Sequence, residues 1–308
     1  MKWICKDLYI VALLFAAIPR MHGQDKSEHA GAARPFTVVT EFYPLYVDAL
    51  NVVAGATGVR VEQMVPSQAG CPEDYQLTPA DMRLLGEADM LIVNGAGLED
   101  YLGKVAAAFP KLRVVDSSVG LPLLKDGAET NPHLWVSPAM AAKQVATIAA
   151  AFEAADASHA AIYKSNASDY EAKLVALGAH MKQALADALV RKLVVFHDSM
   201  PYLARDLGLE ILAVVEPAPG QSPSARDLAD VTERVRSAKG GVALLNEKDV
   251  KNPAADALGR ELKLPVYTLD TVTGGTADPD AARGAYLLAM EKNLKTLRVA
   301  LGLDASKP

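Results

Sequence analysis

The chain has 308 residues, more than a single hydrophobic core usually serves, so two lobes are expected. Hydrophobic residues make up 51% and charged residues 22%, the balance of a globular protein with a large buried core. The formal net charge is −6 and no block of Lys and Arg occurs, which argues against nucleic acid and anionic membrane surfaces as partners.

The first two dozen residues read as an address. Lys2 and Lys6 precede a mostly apolar run over residues 8–18, too short to span a bilayer, and a small-residue exit follows near Met21-His22-Gly23. We read residues 1–23 as a secretory signal peptide cut near Gln24, which places the protein in the periplasm. Residues 24–34 (QDKSEHAGAAR) read as a flexible tail. No Cys follows the apolar run, so no lipid anchor is expected. Cys5 leaves with the signal, and an exported chain left with Cys71 alone forms no internal disulfide.

Strands and helices then alternate. Residues 36–40 form an apolar run followed by a helix around 45–54, and 59–65 is strand-like. "GCPEDYQLTPADM" is a loop entering a helix: Thr78 caps it, Pro79 suits its first position and Asp81 reaches back from the third. A strand over 90–93, a helix from Leu98 and a strand over 112–115 follow. "SPAMAAKQVATIAAAF" opens another helix with Ser137 as cap and Pro138 first. This rhythm predicts an α/β lobe with a parallel sheet over residues 35–155.

The rhythm breaks over 156–190, which holds no Pro. Tyr170, Leu174, Leu177, Met181 and Leu185 recur at spacings of three and four, one stripe of a helix. Such a linker helix would span about 50 Å at 1.5 Å per residue. Strands at 193–196, 209–214, 242–245 and 266–269, with a last helix over 280–301, make a C-terminal α/β lobe of 191–308. "VVTEFYPLY" and "VVFHDSMPYL" open the two lobes alike, each a strand leading to a Pro-started helix.

Five histidines follow the signal: His29, His133, His159, His180 and His197. His29 is in the tail. His159 and His180 stand about 31 Å apart along the linker helix, so they share no ligand and read as solvated helix surface. His133 sits in "TNPHLWVSP", a loop braced by two prolines. His197 ends the run "KLVVFH", and Asp270 ends "LPVYTLD". Open α/β sheets place ligands at the carboxyl ends of their strands. Singly, a strand-end His often bonds only a backbone carbonyl, and an Asp after a strand often caps the next helix. Together these residues, with the carboxylates of "CPEDY", offer two imidazoles and up to two carboxylates from four segments, a donor set for a divalent metal.

Here the sequence resembles the cluster A-I solute-binding proteins of ABC importers for zinc and manganese, over nearly the whole mature chain. The family's Pro-His-x-Tyr-x-x-(Thr/Ser)-Pro loop is met by "CPEDYQLTP" with one departure. "NGAGLED", "NPHLWVSP", "FHDSMPYLARDLGLE" and "VYTLD" follow in the family's order and spacing. The resemblance implies two Rossmann-like α/β lobes joined by one long rigid helix, with metal in the cleft between them. It implies metal ligands at His133, His197 and Asp270, with Glu73 where the family has His. The Glu carboxylate oxygen and the His Nε2 are equally many bonds from Cβ, so Glu73 reaches a metal from a backbone built for His. Glu73 is the first choice for this position, a water the second and Cys71 the third.

His at the third position matches the family's zinc binders, whereas two His and two carboxylates match its manganese binders. "GLPLLKDGAETNPH" is short and lacks the His-rich insertion of many zinc importers. By the Irving–Williams order an N/O site holds zinc more tightly than manganese. The resemblance therefore implies a divalent metal as cargo, zinc by affinity with manganese open, delivered by a monomer to the membrane permease of an ABC importer. Two other classes stay in view. A zinc hydrolase would use an open metal position, although neither H-E-x-x-H nor G-x-S-x-G occurs. A metal-binding adhesin or metallochaperone would share the fold.

Overall fold

The computed structural model describes residues 34–67, 72–126, 129–216, 222–248 and 250–304. The expected signal peptide, most of the tail and Cys71 lie outside the described residues. The first parallel sheet holds β1 (Phe36–Thr40), β2 (Val59–Gln63), β3 (Met90–Val93) and β4 (Arg113–Asp116) in the order β2-β1-β3-β4. A short antiparallel ladder, β5 (Lys125–Asp126) with β6 (Glu129–Thr130), follows. The second parallel sheet holds β7 (Lys192–His197), β8 (Glu210–Glu216), β9 (Val242–Glu247) and β10 (Val266–Leu269) in the order β8-β7-β9-β10. Read from its second strand, each sheet has the same order. The two "VV" stretches thus occupy equivalent strands, β1 and β7.

Helices cover the sheets. In the first half they are α1 (Tyr43–Val52), α2 (Pro79–Glu87), α3 (Leu102–Ala108) and α4 (Pro138–Ala155). Then come α5 (Ala160–Ala184), α6 (Pro201–Leu207), α7 (Ala225–Ser237), α8 (Pro253–Leu262), α9 (Pro279–Ala282) and α10 (Ala285–Ala300). All four residues of β3 are buried, as in a parallel sheet covered on both faces. In β7 the pleat divides the side chains. Leu193 and Val195 join the main core, whereas Val194 and Phe196 pack with α7 and α8 residues such as Val231 and Leu258.

The main core runs without a break from β1 through α1, α4 and α5 to α10. Tyr170, Leu174, Leu177, Met181 and Leu185 are all buried in it, so the helical stripe seals the two lobes together. The helix is shorter than expected: α5 has 25 residues, about 37 Å, instead of spanning 156–190. Asp156 explains the break. Its carboxylate accepts from the Ser158 hydroxyl, from the Tyr163 hydroxyl at 2.7 Å and from His159 Nδ1 at 2.6 Å, tying a turn where α4 stops and α5 begins. His159 therefore precedes α5 and is held by Asp156, while His180 stands on the exposed side of α5, 3.8 Å from Glu291.

Two further helix starts differ from the sequence reading. α3 begins at Leu102 because Gly95, Ala96 and Gly97 take left-handed backbone, and the Glu99 carboxylate turns back to accept from Gly95 N–H at 2.8 Å. The last helix breaks at Arg283 and Gly284, where the Arg283 guanidinium binds Asp280 and the Leu50 carbonyl of α1. Among the described residues no helix is long and apolar enough to cross a membrane.

Candidate metal centre

Three chain segments bring ligand atoms to one point. Glu73 lies in a single 3-10 turn, Pro72–Asp74. That turn is tied to the start of α2: the Tyr75 hydroxyl donates to Asp81 at 2.8 Å, and Asp81 completes a capping box with Thr78. Burial and the Asp81 carboxylate push the Tyr75 phenol up to about 12, so it stays a donor.

His133 sits just before a second 3-10 turn, Leu134–Val136, which leads to the Ser137 cap of α4. Asn131 sets its orientation. The Asn131 amide nitrogen donates to the carbonyl of Asp198 at 2.8 Å and to its carboxylate at 2.7 Å, which fixes which end of the amide is oxygen. That oxygen accepts the His133 backbone N–H at 3.0 Å and lies 3.3 Å from His133 Nδ1. An acceptor at Nδ1 puts the ring proton there and leaves the Nε2 lone pair facing the cleft. Burial, and then the neighbouring His197, hold the His133 pKa well below its usual value. The ring is therefore neutral, as a ligand must be.

His197 ends β7. Its Nε2 lies 3.2 Å from His133 Nε2, and the Glu73 oxygens lie 3.5 Å from His133 and 3.8 Å from His197. Donors on a tetrahedral zinc with bonds of about 2.0–2.1 Å stand roughly 3.3 Å apart, so these three separations fit one ion. Glu73, His133 and His197 form the only group of this kind among the described residues.

The fourth residue singled out by the sequence does not join them here. Asp270 follows β10, and its Oδ2 pairs with Lys248 Nζ at 2.9 Å. Its Oδ1 accepts from Val272 N–H at 2.8 Å, and Asn293 clamps its main chain on both sides. Val272 has φ of 61°, a strained conformation for a β-branched residue. Next to it, Thr271 accepts the Trp135 indole N–H at 2.9 Å, and the Tyr286 hydroxyl donates to the Trp135 carbonyl. Trp135, two residues after His133, thus staples the His133 loop to the Asp270 loop.

Sequence reasoning passed over three of these residues. Asn131 stands two places before His133, close enough to have been marked by the Pro-braced loop. Trp135 stands out in the sequence only as part of a motif. Lys248 lies in a polar stretch, "NEKDVK", that carries no local signal of a site.

Known proteins match most of this chain. The chain is similar to the high-affinity zinc uptake system protein ZnuA of Bacillus subtilis, 24% identical over 318 residues, covering 97% of this chain and 98% of that protein. It is 27% identical over 306 residues to the zinc-binding lipoprotein AdcA of Streptococcus pneumoniae, covering 94% of this chain but only 60% of AdcA. Its structure is similar to that of the solute-binding protein FpvC of Pseudomonas aeruginosa in complex with Mn2+, with a TM-score of 0.77, 27% identity, and 87% of this chain and 98% of that one covered. The family of uptake proteins described as zinc-uptake complex component A, periplasmic, matches residues 38–300, and the chain belongs to it.

Proposed function

We propose that the protein captures one divalent transition metal in the cleft between its lobes and delivers it to the permease of an ABC importer. The observation that supports this most directly is the convergence of Glu73, His133 and His197, from three separate segments, at spacings that suit a single ion. The relatives point the same way. ZnuA and AdcA are named for zinc, and FpvC was solved with Mn2+ and with Ni2+. The family is one of uptake components, and no observation on the described residues favours a hydrolase over it.

The cargo follows from the donors. Two neutral imidazoles with a carboxylate make a nitrogen-rich site that holds zinc more tightly than manganese. Glu73 is the first-loop ligand in this reading. Asp270 supplies a second carboxylate from the opposite lobe and brings the charge of the loaded site to zero. The protein works as a periplasmic monomer, freed of its signal peptide near Gln24.

The test is elemental analysis of the mature protein purified without an affinity tag, with isothermal titration of zinc and manganese. One ion per chain is expected, and His133→Ala with His197→Ala should abolish tight binding. Native stoichiometry and affinity in that double variant would sink the assignment.

A further inference from the structure

Lys248 directly follows β9, between the strand ends that carry His197 on β7 and Asp270 after β10. Its ammonium pairs at 2.9 Å with Oδ2 of Asp270, the carboxylate oxygen that the Val272 N–H does not hold. The rest of Asp270 has little freedom. Asn293, itself only 3% exposed, accepts its backbone N–H and donates to its carbonyl, each at 2.8 Å. The strained Val272 holds its other oxygen. The main chain is thereby fixed, and the choice left to Oδ2 is which cation it faces. The backbone N–H of Lys248 donates to the Leu269 carbonyl at 2.8 Å, which places the root of the side chain beside β10. Its side chain is 53% exposed, so the ammonium can swing into water without desolvation.

We propose that Lys248 is a built-in competitor of the cargo ion for Asp270. This rests on the metal-site reading above. The cargo first meets Glu73, His133 and His197, and Asp270 becomes a ligand when the ion displaces the Lys248 ammonium. No bond is made or broken beyond this exchange of one cation for another on the carboxylate. Breaking a partly exposed ion pair, plus the repulsion of a nearby ammonium, weakens the loaded state modestly. Lys248 therefore sets the affinity below what four ligands would give, which favours release to a partner.

A double-mutant cycle decides it. Zinc affinity is measured by competition with a chelator of known affinity on the full mature chain and on Lys248→Met, Asp270→Asn and the two combined. Lys248→Met should bind zinc about fivefold tighter, the size expected from losing one exposed pair and one nearby positive charge. The gain should vanish when Asp270→Asn is already present, because no carboxylate then remains to compete for. Lys248→Arg, which keeps the cation, should show no gain, and the metal-free melting temperatures should report whether each variant folds.

If Lys248→Met binds zinc more weakly or equally, Lys248 positions Asp270 or is a bystander, and the proposal is overturned. If the gain persists beside Asp270→Asn, it is general repulsion, and the proposal is overturned as well. The double His133→Ala, His197→Ala variant is carried alongside. Retained binding there means that the metal-site reading has failed and this inference with it. Loss of binding there, with flat Lys248 arms, means that this inference alone has failed.

Discussion

The two lobes place different chemistry at the same three positions. With Val39 of β1 set on Val195 of β7, the strand registers equate Glu41, Asn94 and Ser117 in the first lobe with His197, Lys248 and Asp270 in the second. The first row is sealed: all three residues are 0% exposed. Tyr101 donates to Glu41 at 2.9 Å, Asn94 N–H donates to it at 3.0 Å, and the Glu99 carboxyl shares a hydrogen bond with it. The Ser117 hydroxyl donates to the Asn94 carbonyl. The second row is open: the side chains of His197, Lys248 and Asp270 are 17%, 53% and 23% exposed. The 95–101 loop makes the difference, because it folds Glu99 and Tyr101 over the end of β1. A strand end is a binding site only where the following loop leaves it uncovered; otherwise the same polar row becomes a support.

Asn94 links the two roles. Its side chain donates to the Pro132 carbonyl at 2.8 Å, next to His133, and Gln144 donates to its oxygen. The sealed row of the first lobe therefore carries the loop that presents a candidate ligand to the open row of the second.

The largest expected contrast comes from truncating equivalent residues. Glu41→Ala leaves Tyr101, Glu99 and Asn94 N–H without their buried partner and should cost about 3 kcal/mol of folding stability. His197→Ala, at the equivalent place, should cost about 1 kcal/mol or less while removing tight zinc binding. Chemical denaturation of both metal-free variants beside zinc titration would separate the roles. Equal stability losses would show that the two rows do not differ as described.

Asn131→Ala should come next. It removes the acceptor that fixes the His133 tautomer and the donor to Asp198, and loss of such a partner lowers metal affinity about 10- to 100-fold. Stoichiometry should stay at one ion per chain. An affinity within twofold of native would mean that the Pro-braced loop orients His133 unaided.

Glu73→His is a smaller change that tests the departure from the family pattern. Imidazole suits zinc better than manganese, so the ratio of zinc to manganese affinity should rise by about tenfold. Glu73→Ala should weaken both ions. Unchanged affinities in Glu73→Ala would place a water in the first position.

Much of this was legible in the sequence, for physical reasons. Prolines beside His133 and an apolar run before His197 mark where backbone stops and donors begin, and β3, all apolar, is a parallel strand by composition. The end of the long helix was less legible, because Asp156-Ala157-Ser158-His159 holds neither Pro nor Gly and stops the helix through side-chain hydrogen bonds. The hold of Lys248 on Asp270 was not legible at all. It joins residues 22 apart, and it exists only because β9 and β10 are neighbours with Glu247 beside Leu269. Glu41 was hidden in the same way, since its partners Asn94, Glu99 and Tyr101 come from a loop more than 50 residues later.

The smallest effect at neutral pH, and the sharpest probe of the sealed row, is Glu99→Gln. Burial raises the pKa of Glu41 well above 4.5, and the neighbouring Glu99 raises it further. Glu99 is raised by its own burial as well. Two carboxyls in hydrogen-bond contact thus share a proton in the folded protein that the unfolded chain releases near its ordinary value. The sign follows: a raised folded pKa gives stability that is full below about pH 4.5 and is lost as pH climbs through the folded value. Glu99→Gln replaces the shared proton by a permanent N–H. The amide oxygen still accepts from Gly95, its nitrogen donates to Glu41, and Glu41 then receives three donors as a carboxylate. Urea denaturation from about pH 4.5 to about pH 8 should give native protein a falling stability and the variant a flatter one, with the two curves closest at the acid end. Parallel curves would show that no proton is shared at the end of β1.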